Sequence, residues 1–124
     1  MAETITTERL RDQVLAALDD LKAQDVQVMD VRDKASFTDA MIIASGTSDR
    51  HIKALADRVV DAAKEIGIAP LGVEGENSRE WILVDLGDVI VHLMHPQTRA
   101  FYNLEKLWTV SEEQALAGRK GQSH

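Results

Sequence analysis

The chain has 124 residues, 44% of them apolar and 28% charged, with seven Gly, two Pro and no Cys. One domain with one real core fits that length, and disordered chains, disulfide scaffolds, thiol catalysis, iron–sulfur clusters and thiolate zinc sites are excluded. Fourteen basic against 21 acidic residues leave a net charge of −7, which is repelled by nucleic acid at long range and suits a basic protein partner, although solubility alone accounts for it equally well.

Residues 7–23 repeat apolar side chains at helical spacing through Leu10, Val14, Ala17, Leu18 and Leu21, with Thr6 or Thr7 as N-cap. Val26 to Val31 reads as a short strand. Ala40-Met41-Ile42-Ile43-Ala44 is continuously apolar, as in a strand buried on both faces. Ser45-Gly46-Thr47-Ser48 turns the chain into a second helix with the stripe Ile52, Leu55, Ala56, Val59, Ala63 and Ile66, and Gly67 sits where a C-terminal cap belongs. Pro70 stops any continuation, Leu71 to Glu74 is a weaker strand, and Gly75-Glu76-Asn77-Ser78 is a turn cluster.

The strongest local signal is Trp81 to Leu86, then Gly87-Asp88, then Val89 to Met94: a hairpin with a two-residue loop. Pro96 opens a short helix that includes Phe101, Leu104 and Leu107, most of which should pack on the sheet, with Tyr102 and Trp108 as surplus aromatics. Residues 1–108 are therefore expected to form a single α+β domain, a mixed sheet of about five strands packed with helices, and 109–124 a mobile tail. No apolar run approaches the roughly 20 residues of a membrane span, and Met1-Ala2-Glu3-Thr4 starts no leader, so the expected location is cytoplasmic.

Pairing Leu86 with Val89 sets the hairpin register. One face then holds Ile82, Val84, Leu86, Val89, Val91 and Leu93, which is core. The other sets Trp81 opposite Met94, Leu83 opposite His92 and Asp85 opposite Ile90. Three readings of this second face stay open: a face covered by a helix with polar groups at its edge, a docking patch anchored by Trp81, and a catalytic role for Asp85 and His92, which are not directly paired across the hairpin.

Elsewhere the signals are thinner. Ser45-Gly46-Thr47-Ser48 is either a helix cap or a phosphate cradle for a nucleotide-handling enzyme; it lacks the Lys and glycine spacing of a P-loop. The paired carboxylates of a nucleotidyltransferase are missing, because Glu74 stands alone on the next strand and Asp57 falls inside the helix. His92 and His95 point to opposite faces, and Asp49-Arg50-His51 reads as a solvated helix start. No metal, cofactor or catalytic residue is expected.

The long motifs resemble the ribosomal silencing factor, or Iojap, family. They are Thr38-Asp39-Ala40-Met41-Ile42-Ile43-Ala44-Ser45-Gly46-Thr47-Ser48-Asp49-Arg50-His51, Gly72-Val73-Glu74-Gly75, Glu80 to His92, and Tyr102-Asn103-Leu104-Glu105-Lys106-Leu107-Trp108. The resemblance implies a nucleotidyltransferase-like fold without the catalytic carboxylates, and a non-enzymatic translation repressor. It further implies binding to the large ribosomal subunit through that subunit's fourteenth protein, a basic protein at the subunit interface, hindering small-subunit joining when nutrients run low. The resemblance also implies a homodimer when free, the common state of such members, and at most incidental contact with ribosomal RNA. The implied partner-binding residues are Glu80, Trp81, Leu83, Asp85, Ile90, His92, Met94, Tyr102, Glu105 and Trp108.

Overall fold

The described residues form eight elements: α1 (Thr7–Asp20), β1 (Gln24–Asp30), β2 (Ala40–Ser45), α2 (Asp49–Glu65), β3 (Gly72–Glu74), β4 (Trp81–Asp85), β5 (Val89–Met94) and α3 (Pro96–Tyr102). They come from a computed structural model that describes residues 5–103. Leu104, Glu105, Leu107, Trp108 and the expected tail over 109–124 lie outside the described residues.

The sheet has five strands in the order β1-β2-β5-β4-β3. Only β2 and β5 run parallel; the other neighbours are antiparallel. This is the mixed α+β sheet that the sequence predicts. In α1 the Thr6 hydroxyl accepts the Arg9 N–H at 3.1 Å, which settles the cap between the two threonines; Thr7 instead donates to Asp39 Oδ2 at 3.0 Å. The end of α2 closes with paired bonds from the Gly67 N–H to the Lys64 carbonyl and from the Ile68 N–H to the Ala63 carbonyl, the Schellman pattern. Among the described residues no helix is long and apolar enough to cross a membrane.

Both helical stripes land on one face of the sheet. Leu10, Val14 and Leu18 of α1 and Ile52, Leu55 and Val59 of α2 meet Ala40, Ile42 and Ala44 of β2 and the aliphatic face of the hairpin. A smaller core lies on the opposite face, where Met29, Val31, Met41, Ile43 and Met94 come together, with Ala35 and Trp81 packed against them. The β1–β2 connection contributes Val31 and Ala35 to this second cover. The hairpin register is the one derived from its loop, Trp81 to Met94 through Asp85 to Ile90. Gly87 takes a φ of +86° and Asp88 stays out of the left-handed region, as a type II′ turn requires.

Val84 is 0% exposed and faces α2's side of the sheet. Val84→Ala removes two methyl-sized volumes from a filled site, which should cost about 2 kcal/mol and lower the melting temperature by roughly 10 °C. Thermal and urea denaturation monitored by circular dichroism check both figures.

Candidate functional site

Alternation on the hairpin alone makes its second face look uniform, but the two strands differ. On β4, Trp81, Leu83 and Asp85 remain half-exposed. Their partners on β5 are buried: Met94 at 0%, His92 at 5% and Ile90 at 7%. Of the face expected to carry a docking patch, only the β4 half is thus accessible. The cause is strand order. β5 lies between β2 and β4, and Met41 and Ile43 stand beside Ile90 and His92, whereas β4 has only the three-residue β3 outside it.

A buried imidazole needs a partner, and Trp81 supplies it. The indole Nε1–H donates to His92 Nδ1 at 2.9 Å, with ring centroids 5.7 Å apart. The two residues are diagonal neighbours across the pair, which is within reach of aromatic side chains. Matching only directly opposed residues left His92 without a partner, and for that reason the sequence missed this bond. An indole can only donate, so Nδ1 must accept and the His92 proton resides on Nε2. Burial pushes His92 down to about 4, which agrees with a neutral ring.

Trp81 also meets Tyr102, with centroids 4.9 Å apart, and Phe101 stands edge-on to Tyr102 at 5.0 Å. Phe101 is 81% exposed and Tyr102 54%. The expectation that Phe101 packs on the sheet therefore fails, because α3 ends one residue later at Tyr102 and its C-cap Asn103 takes a left-handed φ of +50°. The aromatic patch joins half-buried Trp81 to exposed Tyr102 and Phe101, with half-buried Leu83 further along β4 and exposed Glu80 before it. Glu105 and Trp108, expected beside it, lie outside the described residues.

Three bonds pin α3 so that this patch has a defined shape. The His95 N–H donates to the Glu80 carbonyl at 3.0 Å, His95 Nε2 meets Asp49 Oδ1 at 2.7 Å, and Arg99 Nη1 donates to Ser45 Oγ at 3.0 Å. Gly75 adds a fourth constraint: at φ +89° its missing Cβ would lie 2.0 Å from the Trp81 carbonyl oxygen. The sequence marked Gly75 as part of a turn and of a family motif, but not this contact.

The other candidates turn out to be structural. Asp85 Oδ1 accepts the Gly87 N–H at 2.9 Å and so builds the hairpin turn. In the 45–48 loop, Ser48 caps α2 by accepting the His51 N–H at 3.1 Å. The Gly46 N–H goes to the Met94 carbonyl and the Thr47 N–H to His51 Nδ1, so two amides of the supposed cradle are already used. Gly46 leaves no room for a side chain, since a Cβ there would sit 2.6 Å from Ile52 Cγ1. His51 is not simply solvated: with Nδ1 accepting, Nε2–H donates to the Leu21 carbonyl at 2.7 Å, capping α1. A cleft of about 420 Å³ lies between α2 and β3, but Asp57, Asp61 and Glu76 line it against Lys64 alone, which does not suit a phosphate. Among the described residues no three His, Asp or Glu side chains converge on a metal position.

His92 makes stability depend on acid in a defined direction. Its ordinary value is 6.5 and its folded value about 4, so the fold favours the neutral ring. That contribution is complete above pH 6.5 and is lost as pH falls towards 4, reaching about 3 kcal/mol at the acid end. An NMR titration should show His92 neutral down to about pH 4. The non-titrating variant His92→Asn should lose this part of the pH–stability profile.

Comparison with known proteins agrees with the motifs. A family model described as ribosomal silencing factor during starvation matches residues 4–123. A ribosomal silencing factor of Haemophilus influenzae is 47% identical over 95 residues, covering 77% of this chain and 93% of that protein. One from Bacillus subtilis is 43% identical over 93 residues, covering 75% and 79%. A crystal structure of a protein from Chromobacterium violaceum superposes with a TM-score of 0.82 at 41% identity, covering 83% of this chain and 86% of that one. The chain belongs to the ribosomal silencing factor family.

Proposed function

We propose that this protein silences translation by docking on the large ribosomal subunit through the subunit's fourteenth protein, so that the small subunit cannot join. In this reading the protein is a binding module without catalytic activity, acts in the cytoplasm and is a homodimer when free. Family membership supports the silencing role. The observation that carries the docking reading is the aromatic cluster in which exposed Tyr102 and Phe101 extend half-buried Trp81 of β4. Aromatic side chains with large contact area and few rotatable bonds are the usual anchors of protein interfaces. The net charge of −7 suits a basic ribosomal protein.

The contact residues in this reading are Trp81, Leu83, Tyr102 and Phe101, with Glu80 and Glu105 on the rim and Trp108 beyond. Asp85 acts through the turn it builds. Ile90, His92 and Met94 back the patch from beneath.

Sedimentation with purified ribosomal subunits tests the proposal. The chain should cosediment with large subunits and not with small ones. Trp81→Ala should weaken binding by about 2 kcal/mol or more, roughly thirtyfold. Val84→Ala should change stability while leaving affinity of the folded fraction close to wild type. Glu80→Ala should mainly slow association and reduce its salt sensitivity. Nucleotide binding by calorimetry, together with absence of large subunits from the pellet, would replace this reading with a nucleotide-handling one.

A further inference from the structure

We infer that His92 is a positioning residue for Trp81: by accepting the indole N–H, it presents Trp81 to the docking partner as bare ring surface. The inference rests on the docking reading above and adds which atoms make the contact.

Four observations support it. The Trp81 N–H is already engaged within the chain, at 2.9 Å from His92 Nδ1. His92 is only 5% exposed, too buried to touch a partner itself. The Tyr102 ring, at 4.9 Å, bears on the same indole. The Trp81 backbone is confined by Gly75, whose turn leaves no room for a Cβ beside the Trp81 carbonyl. Side chain and backbone are therefore both set before any partner arrives.

The consequence concerns partner chemistry. An interfacial tryptophan ordinarily needs an acceptor for its N–H, because an unpaired buried donor is costly. Here the acceptor is internal, so the facing surface need carry none. It can instead place aliphatic carbon, or the stem and charge of a basic side chain, against the ring. Fixing the ring in advance also removes part of the ordering cost of association.

His92→Leu removes the acceptor, while His92→Asn retains one, with Oδ1 near the position of Nδ1. In the free full-length protein, the Trp81 indole resonance, identified by its loss in Trp81→Phe, should be protected from exchange and show a through-hydrogen-bond coupling to His92 Nδ1. That protection should vanish in His92→Leu and persist in His92→Asn. Large-subunit binding should weaken about tenfold in His92→Leu and stay within about threefold of wild type in His92→Asn, with melting curves confirming that both are folded.

An unprotected indole without the coupling in the wild-type protein overturns the inference, whether or not either variant folds. Equal affinities for wild type and His92→Leu, or equal losses in both variants, overturn it as well. If the wild-type chain does not sediment with large subunits, the docking reading falls and takes the functional half with it. The coupling still decides whether His92 holds Trp81.

Discussion

Ile42 and Val91 stand opposite one another in the parallel pair at the centre of the sheet. Strands in such a pair, joined by a helical crossover, have to be covered on both faces, and here every residue of β2 and β5 is buried. The stripes of α1 and α2 cover one face. The other is covered by Val31 and Ala35 from the β1–β2 connection, which meet Met41, Ile43 and Met94. The remaining architecture follows from where this cover ends. It reaches β5 but leaves the β4 side chains half-exposed.

That boundary explains why a histidine can sit in a central strand. At position 92 the side chain points to the thinner cover, where a neutral imidazole is affordable only with a donor facing it. Trp81 lies at the margin, with its N–H directed inward to His92 and its ring packed on Met94's cluster. The same indole therefore serves stability on one side and remains accessible on the other. Tyr102 and Phe101 extend the accessible side into a patch.

The 45–48 loop gains its meaning from the same geometry. Its residues close α2, bond to the end of β5 and hold Arg99 of α3. Together with the contact between His95 and Asp49, this loop fixes α3 relative to β4, so the loop that resembles an anion cradle supports the aromatic patch instead. Surface ion pairs add little by comparison. Arg32 with Glu8 and Arg58 with Asp20 are solvent-accessible at both ends, where solvent screening leaves such pairs little net stabilisation.

Local pattern by itself determined α1, α2, the start of α3 at Pro96, the strands, the two-residue hairpin with its register, and the aliphatic face that had to be core. Periodicity and turn chemistry act over a few residues, and their consequences can be read without knowing what packs above them. The family was likewise legible, because its motifs are long and ordered. Tertiary structure alone decided that β5 is central while β4 is nearly an edge, and hence that Ile90, His92 and Met94 are buried and Trp81 is not. It also decided that His92 bonds diagonally to Trp81, that Phe101 projects outward, and that Ser45 and Asp49 tie down α3. Each of these depends on contacts between residues far apart in the chain, as with Ser45 and Arg99, and no local spacing encodes which distant element will lie alongside.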